Sequence, residues 1–268
     1  MDANRPTIPH VSPFALTPQA PTLWQAFGLI ALYFALQLTI GGLISLTAGL
    51  FAVIQHGGDI NEVITQGRHW LAHSDSSAIA VMATLLASAA LIFYQAHRWW
   101  PALWSQSDLP GFGFTRSNQI VIYVVAIALG TMMPFVGGAL TQWLAHGHQV
   151  SQDIKQLGAN TSLLVRLPLA LLVVSVGPLI EELLFRGVLL SAVARHVGNG
   201  WAVALTGLLF ACVHLPDLGF LWYALPNLAL LGLILGWLRV QSGSIWPSVI
   251  AHGMNNLLAV VSWFMVSH

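Results

Sequence analysis

The chain has 268 residues, of which 56% are apolar and only 7% are charged. Soluble domains carry about 25% Asp, Glu, Lys and Arg, so this composition belongs to a membrane protein. Nine basic residues balance nine acidic ones, which leaves no electrostatic footprint for nucleic acid, and a single Cys excludes an intrachain disulfide and any Cys-based zinc site.

From the N-terminus, Pro6, Pro9, Pro13, Pro18 and Pro21 come first. Each lacks a backbone N–H and fixes φ, so residues 1–22 are expected to form an irregular tail, with a membrane bundle over 23–268. No charge lies between Arg5 and Asp59, Asp75 and Arg98, or Arg116 and Asp153, and further gaps separate Arg195, Asp217, Arg239 and the C-terminus. A spanning helix needs about 20 apolar residues, and every gap is long enough. The expectation is an all-α, polytopic transmembrane helical bundle of about seven spans, within a range of 6 to 8, around a polar cavity. The spans are placed at about 23–54, 77–94, 120–144, 167–192, 201–216, 218–238 and 245–266. The first exceeds what a bilayer needs, so it tilts, projects, or breaks near Gly41 and Gly42.

With seven spans, Arg5, Arg98, Arg116, Arg195 and Arg239 fall on one side; Arg68 and Lys155 fall on the other, with Arg166 near a helix end. The richer side reads as cytoplasmic, which puts the N-terminus inside. Integral, multi-pass residence in a prokaryotic plasma membrane is expected. Trp24, Trp99, Trp100, Trp104, Trp201 and Trp237 sit near span ends, as interfacial anchors do.

The fourth span contains Gly177-Pro178-Leu179-Ile180-Glu181-Glu182-Leu183-Leu184-Phe185-Arg186-Gly187. An ionisable side chain near a bilayer centre costs at least about 2.5 kcal/mol, so it needs a partner or a watery cavity. Glu182 and Arg186 are spaced i, i+4 and can neutralise each other as a structural ion pair. Glu181 is rotated about 100° away and lacks that partner. Burial and the adjacent carboxylate both work against its charged form, which suits a general acid or base near neutral pH. The fifth span ends Phe210-Ala211-Cys212-Val213-His214, and the seventh contains His252-Gly253-Met254-Asn255-Asn256, with His252 and Asn256 on one face. Three helices thus each bring a residue suited to activating water or stabilising an oxyanion. The spacing of span ends leaves His214 deeper than Glu181 and His252, a mismatch that needs a tilted or displaced fifth helix.

Taken in order, Glu181-Glu182-x-x-x-Arg186, Phe210-x-x-x-His214 and His252-x-x-x-Asn256 resemble the motifs of the CAAX-protease and bacteriocin-processing family of intramembrane proteases, also called the Abi family. Gly236-Trp237-Leu238-Arg239 and Ser242-Gly243-Ser244-Ile245-Trp246 look like the run before the last motif. The resemblance covers about 165–262, the expected catalytic core, and residues 1–160 carry no matching motif. It implies peptide-bond hydrolysis inside a helical bundle, with Glu181 activating water, His214 helping to hold or deprotonate it, and His252 and Asn256 stabilising the oxyanion. Glu182 and Arg186 become structural, and Phe210 packs beside the site. The implied partner is a membrane-associated peptide or protein, lipidated or not, with CAAX-type C-terminal processing as one form. A metal-free mechanism is favoured; the alternative is zinc held by Glu181, His214 and His252.

Other signals carry less. His69 and His73 have the spacing of a zinc-protease helix but lack its Glu. A buried thiol such as Cys212 is ordinarily inert. Two rival functions remain: a transporter using Glu181, Glu182, His214 and His252 as a proton or cation path, and a non-catalytic immunity or scaffold protein.

Overall fold

The structure, a computed structural model, describes residues 19–146 and 153–265. Most of the expected N-terminal tail, residues 1–18, lies outside the described residues. Helix α1 spans Leu23–His56. Thr22 caps it through a reciprocal box with Gln25, and Gly57 ends it in the left-handed conformation. It runs unbroken past Gly41 and Gly42, about 50 Å at 1.5 Å per residue, so of the three alternatives the break is the one not taken. Helices α2 (Val63–Ala72) and α3 (Ser74–Trp99) follow and pack against α1. Helices α4 (Ile120–Ala145), α5 (Asp153–Asn160), α6 (Leu163–Val174) and α7 (Val176–Glu182) come next. A π-helical turn at Leu183–Leu189 leads into α8 (Leu190–Val213), then α9 (Leu225–Ser242) and α10 (Trp246–Met265).

Among the described residues, six runs are long and apolar enough to cross a membrane: Leu23–Gln55, Ser74–Trp99, Ile120–Ala145, Leu163–Val213, Trp222–Ser242 and Trp246–Met265. The count lies within the expected range of six to eight, and the fourth and fifth expected spans form one run of 51 residues. No loop separates them. The chain reverses at Gly198, whose φ of 75° and ψ of 168° interrupt α8. Only glycine adopts that conformation at low cost, so one residue makes the turn. The two arms return against each other, with the rings of Phe185 and Phe210 5.3 Å apart. The second arm is too short to register as a separate span and packs antiparallel to α9. Gly207 meets Gly232 and Val203 meets Gly236, and a side chain at Gly207 would press on the backbone of Gly232 and Leu233. The sixth expected span also starts later than 218, because short turns at Pro216–Leu218 and Trp222–Ala224 precede α9.

The α7–π segment is the axis of the bundle. Ile180, Leu183, Leu184, Phe185, Val188, Leu189 and Leu190 are all buried. At one end of the bundle, residues 100–119 fold back as a plug. Phe112 and Leu103 are buried there, and Trp104 stacks on Phe114 with centroids 4.3 Å apart. Arg239 donates to the carbonyls of Ser107 and Gly111, and Ser244 to that of Thr115.

Candidate active site

Glu181 owes its position to two breaks in regular helix. Ser175 leaves helical geometry (φ −125°, ψ −71°) between α6 and α7. Pro178 has no N–H to offer the carbonyl of Val174, so the ladder is weak there. Past Glu182 the chain widens into the π turn, where the N–H of Leu190 reaches the carbonyl of Phe185, five residues back. π turns of this kind often mark functional sites.

The ionisable groups are connected pairwise. Arg186 Nη1 donates to Glu182 Oε1 at 3.1 Å, both side chains being fully buried. Arg186 Nη2 donates to the Gly232 carbonyl at 3.1 Å, and the guanidinium lies 4.5 Å from the centroid of the Phe210 ring. Glu182 Oε1 also lies 3.0 Å from His252 Nδ1. A carboxylate only accepts, so Nδ1 carries the hydrogen and Nε2 presents a lone pair. His214 is fixed in the same tautomer, since its Nδ1 lies 2.7 Å from the Phe210 carbonyl. Both free Nε2 atoms face one oxygen: His214 and His252 each stand 3.7 Å from Glu181 Oε2. That oxygen is buried and has no hydrogen-bond partner. Phe210 separates the imidazoles, 4.6 Å from His214 and 5.6 Å from His252 between ring centres.

The apparent depth mismatch at His214 disappears with the Gly198 turn. Glu181 precedes Gly198 and His214 follows it by nearly the same number of residues, about 25 Å of helix on each arm at 1.5 Å per residue. A hairpin closed at Gly198 therefore brings them level.

These groups line a cavity of about 800 Å³. Glu181, Phe210, His214, His252 and Asn256 all border it. Asn256 is in the cavity wall, but one of its amide hydrogens goes to the Val173 carbonyl at 3.0 Å, at the α6–α7 break. Its amide has a second N–H. Glu182 does more than the ion pair expected of it, because it also orients His252. Cys212 is exposed and does not border the cavity.

Several cavity residues were not singled out from the sequence. Tyr33, Gln37 and Gly41 form a stripe at i, i+4, i+8 on α1, and Thr84, Asn227 and Asn255 face the same space. The signal was Gln37, a polar amide in the interior of the first apolar run.

Zinc is tested by the arrangement of its would-be ligands. Glu181, His214 and His252 have suitable chemistry. However, among the described residues no group of three or more His, Cys, Asp or Glu side chains is arranged to hold a metal ion. No step below runs through a metal.

Residues 163–258 match the family of type II CAAX prenyl endopeptidases described as Rce1-like. The match covers about a third of the chain, and it is to the same group of intramembrane proteases that the three motifs resemble. No curated protein matches the chain, and no solved structure does.

Proposed function

We propose that the protein is an intramembrane endopeptidase in which Glu181 activates water for attack on a peptide bond. The observation that carries this reading is the meeting of three lone-pair groups, Glu181 Oε2 and two imidazole Nε2 atoms, in one cavity. Such a patch repels itself unless a donor lies between its members, and a water molecule has two O–H donors. Glu181 takes one proton as the water oxygen bonds to the scissile carbonyl carbon. The carbonyl π electrons move to oxygen, and the resulting oxyanion is stabilised by the second amide hydrogen of Asn256 and by His252, whose Nε2 shares the proton that Glu181 has taken from the water. On collapse the C–N bond breaks and the leaving nitrogen takes the proton from Glu181. His214 holds the water and shares the proton. Glu182 with Arg186 keeps His252 in orientation, as an outer partner does for a working imidazole.

The substrate is a membrane-associated peptide or protein. Phe34, Leu38 and Val81 border the cavity and are also exposed on the flank of the bundle, so an apolar anchor or a lipid chain can enter sideways. The N-terminus is proposed to be cytoplasmic, in a prokaryotic plasma membrane.

The test is cleavage of an internally quenched, farnesylated CAAX peptide and its unprenylated counterpart by the full chain in proteoliposomes. Wild type is expected to cleave and Glu181→Gln to be inactive but folded. A metal chelator is expected to leave the rate unchanged; loss of activity on chelation, restored by zinc, would return Glu181, His214 and His252 to the role of ligands. Proton flux without cleavage would replace the reading by transport.

A further inference from the structure

We infer that Asn255 is a positioning residue for the reaction: it holds the Asn256 carboxamide in the one orientation that keeps a hydrogen free for the oxyanion. The inference rests on the proposed proteolysis and adds to it a residue that acts through its neighbour.

A primary amide can sit in its site in two ways, related by exchange of its oxygen and its nitrogen. The surroundings of Asn256 decide between them. On one side lies the Val173 carbonyl, 3.0 Å from Asn256 Nδ2. A carbonyl only accepts, so the nitrogen faces it and the oxygen faces away. On the other side Asn255 Nδ2 donates to Asn256 Oδ1 at 3.2 Å. The two bonds form a relay with a single direction, from the Asn255 amide through the Asn256 amide to the backbone of α6. Turned over, Asn256 would set oxygen against oxygen at Val173 and nitrogen against nitrogen at Asn255.

The relay ends where α10 comes closest to the α6–α7 break. Gly253 stands there, and a Cβ on it would come within 2.6 Å of the Val174 carbonyl oxygen. Two consecutive carbonyls therefore seat α10: Val173 bonded to Asn256, and Val174 against the bare backbone of Gly253. The reach of Asn256 is fixed by backbone contact, so the rotation of its amide is what remains to be set.

Asn255 sets it, and the direction of its bond matters for charge as well. Donation to an amide oxygen makes the N–H groups of that amide better donors, and bonds in such a chain strengthen one another by about 10–30%. With both ends of the Asn256 amide held, its second N–H is aligned before any charge develops, which is the condition for stabilising an oxyanion without reorganisation. Composition alone cannot tell two adjacent Asn residues apart. Bond direction does, since Asn256 reaches the backbone and Asn255 reaches Asn256. Both border the cavity.

A double-mutant cycle on the full chain in proteoliposomes, read with the quenched peptide, tests this. Asn255→Ala is expected to lower kcat about 3–10-fold, the rate equivalent of one hydrogen bond, with KM within about twofold of wild type. Asn256→Ala is expected to be slower by about 10²–10³-fold, as for a lost oxyanion donor. Adding Asn255→Ala to it is expected to change kcat by less than about twofold, because the group it acts through is gone. Losses that multiply in the double variant overturn the inference, since Asn255 would then act on substrate or fold directly. An unchanged kcat in Asn255→Ala overturns it too. Asn255→Asp repeats the cycle with the side-chain shape kept and the donor removed, which covers an alanine variant that unfolds; wild-type kcat in Asn255→Asp also overturns the inference. The proteolytic reading is judged separately. Absence of cleavage by wild type removes that reading and the inference with it, and full activity of Asn256→Ala removes the oxyanion role on which the inference depends.

Discussion

The two halves of the bundle handle polar groups in opposite ways. In the segment from α6 to α10, buried ions find one another or a carbonyl: Arg186 meets Glu182, Glu182 meets His252, and Arg166 caps the carbonyls of Thr161 and Trp263. In α1 to α3, the polar side chains Tyr33, Gln37 and Thr84 face the cavity. Packing follows the same division. Only 11% of the apolar window of α1 is buried, against 39% for the run Trp222–Ser242. The first half thus forms a wall that lipid surrounds on most sides, while the second half is a fixed frame for chemistry. The proposed proteolysis needs both, because reacting groups must be held still while something must move to admit a chain.

The contrast breaks most visibly at Glu181. Glu181→Gln should lower cleavage by about 10²–10⁴-fold, the usual contribution of a general base, with an unaltered melting curve; near-wild-type turnover of the quenched peptide would refute the assignment. Arg186→Ala comes next and acts through the frame. Removing one partner of a fully buried pair costs about 3–5 kcal/mol, so thermal unfolding in detergent should shift downward and yield should fall. An unchanged melting temperature would mean that the network does not hold the frame together.

Smaller effects are expected from the wall. Gln37→Leu should change the KM for a membrane-anchored peptide more than kcat and leave stability nearly untouched, since it alters what faces the cavity rather than what packs the core. A larger loss in kcat would move α1 from wall to frame. Smallest of all, Gly42→Ala meets nothing within 4 Å and gains helix propensity of at most about 1 kcal/mol. Cleavage should be unaffected, and a measurable slowing would show that α1 must bend during turnover.

Much of this was legible in the sequence because the membrane makes polar residues costly. Glu181, Glu182, Arg186, His214 and His252 stood out against an apolar background, and i, i+4 spacing alone gave the Glu182–Arg186 pair. The reversal was legible as well, since it falls between the fourth and fifth expected spans. Its form was not: the residues from Arg195 to Asn199 are polar enough to suggest a loop, although the backbone remains helical up to a single glycine at positive φ. The bond from Asn256 to Val173 was equally hidden. It depends on a carbonyl released by the irregularity at Ser175, and side-chain spacing carries no record of which backbone groups lose their helical partners. Tyr33 and Gln37 escaped notice because nothing in α1 sets the rotation of that helix about its own axis.

The π turn at Leu183–Leu189 has a consequence for how such a site can be retuned. A wide turn of this type holds one residue more than an α-helical turn, so removing a single residue from 183–189 would swing Glu181 by about 100° about the helix axis relative to everything downstream. The hinge between the acid and the rest of the molecule therefore has discrete settings rather than a continuous range. A length change of one codon suffices to disengage the Glu181 oxygen from both imidazoles while leaving every lipid-facing surface chemically the same.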